Sequence, residues 1–326
     1  FDTAGFLHTK TFRAIQRELV STFNSTPTRA AYHAGRSYPA DPDALRQFLN
    51  EQFLRPGGPG CLPDGECGSK VHRGMIVPHI DLPRGGHAYA HGYLDLYRSG
   101  RPDTVIIFGV AHAAEPVPFI LTRKPFETPL GTLRIDEEIL NTIERACDFD
   151  PYGYEFTHRS EHSIEFQAVM LAHLYGTDVK IVPILTSYFW DEPHEVTDGD
   201  PVSRFLGACR EAIVRAPYPV TVLGGADLAH VGRRFGDAVE IDDSVLADIR
   251  KRDEEDMEHA YRMAPEAFYA SVMADDNARH VCGHNCVYST VKVLEGLSTG
   301  GRLLHYDCAM DPAGGVSFAS AAFARG

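Results

Sequence analysis

The chain has 326 residues, of which 44% are hydrophobic and 23% are charged, as is typical of a globular protein with a large core. Its 45 acidic and 31 basic side chains give a formal net charge of −14, which argues against nonspecific binding to nucleic acid or to an anionic membrane. No apolar run approaches the roughly 20 residues that a transmembrane helix needs. We therefore expect no nucleic-acid partner and no membrane partner.

The cysteines indicate a reducing environment. Seven are present, at positions 61, 67, 147, 209, 282, 286 and 308. The odd number and scattered spacing are not those of a disulfide framework, so we expect free thiols and a cytoplasmic location. Cys61 and Cys67 could pair or bind a metal, but exposed thiols on a loop are the simpler interpretation.

The chain is predicted to form an N-terminal extension over residues 1–30, with one short helix, and one α/β domain over residues 31–326. A helix begins at Asp41 and Pro42, which suit the N-cap and the first helical position. The Gly- and Pro-rich stretch 56–69 ends that unit.

After residue 70, short apolar segments alternate with amphipathic ones. Strands are predicted near 74–78, 104–109, 118–122, 179–185, 220–225, 302–308 and 315–323. Helices are predicted near 137–147, 163–175, 201–215, 242–261, 265–274 and 286–297. This alternation predicts a mainly parallel or mixed central sheet flanked by helices. Ligand sites in such sheets gather where strands end.

Histidines follow three of the predicted strands. His79, His112 and His230 come directly or shortly after them, and Cys282 lies between helices late in the chain. Imidazole and thiolate groups are ligands for zinc, iron and copper. Because the chain has 16 histidines, and a histidine at a strand end is often structural, the spacing alone leaves both interpretations open.

An ordered set of motifs resembles the Memo-like family, also called AmmeMemoRadiSam system protein B, from about residue 31 onwards. The most specific pieces are Thr128-Pro-Leu-Gly131 and Glu161-His-Ser-Ile-Glu165. The others are Ala34-Gly-Arg-Ser-Tyr-Pro39, Val77-Pro-His79, Gly109-Val-Ala-His112, Asp227-Leu-Ala-His230 and Cys282-Gly-His284.

The resemblance implies a fold like that of the class III extradiol dioxygenases. It implies that His79, His112 and Cys282 occupy the metal-ligand positions. His230 matches the histidine placed like a dioxygenase acid/base, and Asp227 matches its acidic neighbour. Dioxygenases of this class hold iron with two histidines and one carboxylate, so a thiolate in the third position would favour softer or borderline metals.

The sequence departs from the family beside these positions. The usual Pro-His-Ala-Gly-Tyr is here Pro78-His-Ile-Asp-Leu82. Asp81 is thereby a candidate substrate contact, an extra ligand or a solvated loop acid. His162 is expected to face the pocket as a substrate-binding residue or to support it.

Further side chains leave alternatives open. Glu161 suits a helix N-terminus, whereas Glu165 could orient a ligand histidine or form a salt bridge. His87 and His91 would share one helix face, as a metal pair or as ordinary surface. Cys286 could be a redox partner of Cys282 or part of the core.

The leading hypothesis is a metal-dependent oxidoreductase of the dioxygenase type, with iron(II) as cofactor and copper or zinc as alternatives. His230 would move protons and Asp227 would orient it, acting on a small, for example aromatic, substrate. The alternatives are a non-catalytic metal-binding, redox or protein-interaction role, and metal-assisted hydrolysis. The family's bacterial name implies association with radical-SAM and AMMECR1-like proteins.

Overall fold

The apolar segments pair into one mixed sheet in the computed structural model, which describes residues 10–113, 115–187 and 199–326. The strands are β1 (Gly74–Val77), β2 (Thr104–Val110), β3 (Phe119–Leu121), β4 (Phe126–Thr128), β5 (Gly131–Leu133), β6 (Lys180–Thr186), β7 (Val220–Gly225), β8 (His230–Val231), β9 (Ser298–Asp311) and β10 (Gly314–Arg325).

The helices are α1 (Lys10–Ser25), α2 (Pro42–Leu54), α3 (Leu82–Ser99), α4 (Glu137–Glu144), α5 (His162–Tyr175), α6 (Pro201–Arg215), α7 (Asp243–Tyr261), α8 (Pro265–Met273) and α9 (His284–Leu294). Among the residues that the structure describes, none of these helices has the length and apolar character of a membrane span.

The main sheet has the strand order β3-β6-β2-β7-β1-β10-β8, and β9 pairs with β10. Its centre is parallel, because β2 runs parallel to both β6 and β7, and β7 runs parallel to β1. Its flanks are antiparallel, through β3 on one side and β10 on the other. The predicted fold, one α/β domain with a mixed sheet flanked by helices, is confirmed.

Helices cover both faces of the sheet. Gly224 and Gly225 are successive residues of β7, so they face opposite sides. A side chain at Gly224 would meet Thr290 of α9, and one at Gly225 would meet Gln167 of α5. The central strands are therefore buried on both sides, which explains their continuous apolar sequences.

Helix α3 is not among the predicted helices, because its segment carries three glycines, which are poor helix formers. Asp81 caps it by accepting a hydrogen bond from the Arg84 backbone, and Pro83 occupies its first turn. At Gly92 a side chain would lie 2.5 Å from Val77 of β1, so the glycine lets α3 approach the sheet closely.

The N-terminal region meets the domain through Arg29, whose side chain is completely buried. Its guanidinium pairs with Glu165 and donates to the carbonyl oxygens of His158 and Glu161. At the other end of the chain, β9 and β10 are longer than predicted and form an antiparallel hairpin. All seven cysteines, each within the described residues, are free thiols.

Candidate metal centre

A cleft of about 490 Å3 opens where β1, β2 and β7 end. Six of the predicted site residues line it: His79, Asp81, His112, His162, Asp227 and His230. Parallel strands bring their carboxyl ends to one edge of the sheet, which explains why residues distant in sequence meet here. Aromatic and cationic side chains complete the wall, including Phe166, Phe235, Arg84 and Arg234.

His79 is the most deeply buried of the cleft histidines, at 2% exposure. Its Nδ1 lies 2.8 Å from the Gly225 carbonyl oxygen, and its backbone N–H donates to Asp227 Oδ1 over 2.9 Å. Burial, helped by the charge of His112, lowers the pKa of His79 to about 3. The ring is therefore neutral, with its proton on Nδ1 and its lone pair on Nε2, because a carbonyl can only accept.

His112 is held by Glu161, the N-cap residue of α5. Its Nδ1 lies 3.1 Å from each carboxylate oxygen, and its backbone N–H donates to Oε2 over 3.2 Å. Burial lowers the pKa of His112, but the hydrogen bond and charge of Glu161 outweigh it, so the pKa lies above its ordinary value. Burial likewise raises the pKa of Glu161, and His112 and His162 bring it well below the usual range.

His162 is the first residue of α5, and its ring stacks on that of His112 with centroids 4.8 Å apart. Its Nδ1 lies 3.2 Å from Glu161 Oε1. Burial, together with the charge of His79, lowers the pKa of His162 to about 4. A single carboxylate thus contacts both stacked imidazoles.

The three imidazoles converge. One ring nitrogen from each of His79, His112 and His162 lies within 4.8 Å of the other two. Because Nδ1 of each ring lies beside an oxygen acceptor, Nε2 is the nitrogen left to bind a metal. Metal-binding histidines in proteins are oriented in the same way by a carboxylate or a carbonyl.

Cys282 lies against this group from the side of α9. Its Sγ is 3.3 Å from His79 Nε2. Burial and the negative charge of Asp227 raise the pKa of the thiol well above its ordinary value. Of the predicted ligands, Cys282 is thus a neighbour of His79, whereas the three atoms that lie within 4.8 Å of one another come from His79, His112 and His162. The ligand set itself stays a prediction.

Asp227 and His230 occupy the wall formed after β7. Asp227 Oδ1 accepts from the backbone N–H groups of His79 and Ile80, and Oδ2 lies 3.6 Å from His79 Nε2. Burial raises the pKa of Asp227 and lowers that of His230. The ring of His230 is oriented by its Nδ1, 3.1 Å from the Leu228 carbonyl oxygen. The contacts of Asp227 therefore position His79; its role in orienting His230 stays a prediction.

The family model for Memo-like proteins matches residues 29–322. The chain belongs to the Memo-like family. A MEMO1 family protein of Aquifex aeolicus is 27% identical over 86% of this chain and 68% of its own length. Another, from Methanopyrus kandleri, is 28% identical over 90% and 98% of the two chains. A third, from Sulfolobus acidocaldarius, is 32% identical over 68% and 75%.

The donor set of this Memo-like protein fits a transition metal. The set has three imidazoles, each neutral or able to give up its proton when a metal binds, and one thiol. These are ligands that zinc, copper and iron prefer. Nδ1 of each imidazole lies beside an oxygen acceptor, and the cleft gives an ion access from solvent. His79, His112, His162 and Cys282 are the residues that could hold such an ion.

The structure of this Memo-like protein shows the contacts of three residues whose roles the sequence left open. Asp81 caps α3 and pairs with Arg84 while it lines the cleft. Glu165 forms a salt bridge with Arg29, so Glu161, four residues earlier, is the acid that orients a histidine. Cys286 is fully buried and donates to the Phe108 carbonyl oxygen over 3.0 Å, within the core.

The cleft also contains residues that the sequence interpretation missed. His33 lies before α2, and its ring contacts those of His162 and Phe166. The signal that could have identified His33 was its position within the N-terminal part of the family match. No spacing rule indicated that Phe166 and Phe235 would face the cleft.

Proposed function

We propose that this Memo-like protein is a metal-dependent oxidoreductase of the dioxygenase type, with iron(II) as its cofactor. The observation that supports the proposal most directly is the convergence of His79, His112 and His162, each with an acceptor on Nδ1. When bound, iron(II) would supply redox chemistry and coordination positions that the protein leaves open.

The residues around the ligands would have distinct roles. Glu161 holds His112 and contacts His162, which fixes the direction of both lone pairs. Asp227 binds the backbone at His79 and so fixes the loop after β1. Phe166 and Phe235 offer apolar surface to a small aromatic substrate.

His230 is the proposed proton carrier. Because the Leu228 carbonyl oxygen accepts from Nδ1, the lone pair is on Nε2. Burial lowers the pKa of His230, so the ring is neutral near pH 7 and can take a proton from a substrate hydroxyl group at Nε2. Its general-base contribution is expected to be about 100-fold or more in rate.

The deciding experiment measures iron in anaerobically purified protein that has been reconstituted with iron(II). Wild type is compared with His112→Ala, His162→Ala and Cys282→Ala, and with His259→Ala, a histidine outside the cleft, as the control. We expect one iron per chain in wild type and in the control, and a loss in His112→Ala. The comparison of His162→Ala with Cys282→Ala identifies the third ligand.

Dioxygen uptake with a panel of phenolic substrates then tests turnover. The expected result is uptake by wild type that falls at least about 100-fold in His230→Gln while the iron content stays unchanged. Wild type that binds no iron after reconstitution would refute the iron-dependent function. Iron binding without uptake on any substrate would refute the dioxygenase activity.

A second candidate is metal handling without turnover, and the thiol of Cys282 favours it. A sulfur 3.3 Å from His79 Nε2 gives the site a soft donor, which suits copper(I). Copper(I) binding that exceeds iron(II) binding by more than tenfold in competition, and that depends on Cys282, would support this role over oxygenation.

A further inference from the structure

A second group of potential metal ligands lies outside the cleft. One ligand atom from each of His87, His305 and Asp307 lies within 4.8 Å of the other two. None of the three lines the cleft described above. The group is built by α3 and β9, whereas the cleft is built by the ends of the parallel strands.

The periodicities of a helix and a strand bring these side chains together. His87 and His91 are four residues apart on α3 and share one face. His305 and Asp307 are two residues apart on β9, so they point to the same side of the strand. The pairing of β9 with β10 is irregular beside His305, since Ser320 pairs with His305 and Ala321 pairs with Leu303. Such irregularities re-aim side chains near sites.

Two ring nitrogens in the group are buried and lack a hydrogen-bond partner in the described part of the chain. They are Nδ1 of His87, a residue that is 6% exposed, and Nε2 of His305. His87 Nε2 lies 2.7 Å from Asp307 Oδ2. Buried imidazole nitrogens are normally paired, so the unpaired Nε2 of His305 indicates a ligand. A ring offers an ion only one nitrogen, and on His87 the nitrogen beside Asp307 is Nε2.

The surroundings hold the two rings in place. The His91 ring stacks on that of His305 with centroids 4.4 Å apart and planes 6° apart, and His91 Nε2 lies 2.9 Å from the Gly57 carbonyl oxygen. Gly57, at φ +85°, covers His87 so closely that a side chain there would lie 3.3 Å from its Cδ2. Asp307 keeps 47% of its side chain exposed, which leaves a route for an ion from solvent.

We propose that His87, His305 and Asp307 form a second metal site that binds a borderline divalent cation such as Zn²⁺. Two imidazoles and one carboxylate are a donor set that suits zinc. The contact between His87 Nε2 and Asp307 Oδ2 occupies part of this set, and a bound ion would take its place. A bound ion would fasten the first half of α3 to the β9–β10 hairpin.

The test counts Zn²⁺ bound to the full chain by equilibrium dialysis and elemental analysis. The cleft is first disabled by His79→Ala together with His112→Ala. We expect this double variant to keep one Zn²⁺ per chain, and to lose it when His305→Gln is added. Wild type should bind two ions, and His305→Gln alone should bind one.

Asp307→Asn is a second test of the site that should leave the fold intact, because the Asp307 side chain is nearly half exposed and the change is isosteric. In the double-variant background it should weaken Zn²⁺ binding at least tenfold, and it should reduce the rise in melting temperature that Zn²⁺ produces. His259→Ala in the same background should change neither value.

A folded double variant that binds no Zn²⁺ would overturn the proposal. So would Zn²⁺ that is retained in full when His305→Gln and Asp307→Asn are both present. Because the count is made with the cleft disabled, it does not depend on whether the cleft holds iron.

Discussion

Two carboxylates four residues apart at the start of α5 have different roles. Glu161 and Glu165 are both buried, at 7% and 0% exposure. Glu165 is enclosed, because it pairs with Arg29 and accepts from the Tyr38 hydroxyl group and the His33 backbone N–H. Glu161 contacts two imidazoles that line the cleft, and each of these has a second nitrogen left over.

Glu165 and Glu161 show how a structural role can be told from a functional one among buried carboxylates. A buried carboxylate such as Glu165, which is held by a guanidinium, a hydroxyl group and a backbone N–H, fixes the arrangement of its neighbours and has no capacity left for a ligand. A buried carboxylate whose partners face a cleft, such as Glu161, transmits its orientation to groups that can still bind something. Burial alone does not distinguish the two roles. They differ in whether the partners of the carboxylate still have an atom that can bind a ligand.

The largest predicted effect is on stability, from Arg29→Met. This change leaves Glu165 buried without its cation, which is expected to lower the free energy of unfolding by about 3–5 kcal/mol. Urea denaturation measures it. The control is Arg46→Met, because the Arg46–Asp43 pair is exposed and its loss should cost less than about 0.5 kcal/mol. Equal effects for the two variants would contradict the enclosed role of Glu165.

The next effect is on metal affinity, from Glu161→Gln. The amide keeps one acceptor but loses the charge that orients His112 and His162, so metal affinity should fall about 10–100-fold. Isothermal titration with a divalent metal measures it, and Glu138→Gln, an exposed acid on α4, is the control. A loss of stability as large as that of Arg29→Met, with unchanged affinity, would reverse the roles assigned to the two carboxylates.

The smallest effect distinguishes capping from ligand binding at Asp81. Because its carboxylate caps α3, Asp81→Ala should lower the free energy of unfolding by about 1 kcal/mol, and Asp81→Asn by only a few tenths. Thermal and urea unfolding of both variants measure this. If Asp81→Asn instead abolishes substrate binding at unchanged stability, Asp81 is a substrate contact as well as a cap.

The sequence predicted the sheet because periodicity is a local property. Apolar runs such as Thr104–Val110 and the capping pair Asp41-Pro42 identify elements without any knowledge of their neighbours. Helix α3 escaped prediction since its glycines contradict helix propensity and make sense only against β1. The short strands β4 and β5, which pair with each other outside the main sheet, give no apolar periodicity to detect.

Less of the site could be predicted from the sequence, because it is formed by contacts between residues that are far apart in the chain. The strand-end rule placed His79, His112 and His230 at one edge. It could not show that His162 turns toward the same point, or which of two glutamates in one motif meets Arg29. Nor could it show that His87, noted only for its spacing to His91, meets His305 more than 200 positions later.

The position of β10 has a consequence for synthesis on the ribosome. β1, which carries His79, pairs on one side with β10, and β10 also anchors the Asp227 loop through hydrogen bonds between Ser317 and residues 228 and 229. Until residues 314–325 have left the exit tunnel, the edge of β1 stays open and a chaperone or another nascent chain can pair with it. The cleft is therefore complete only once β10 has been synthesised and has paired with β1.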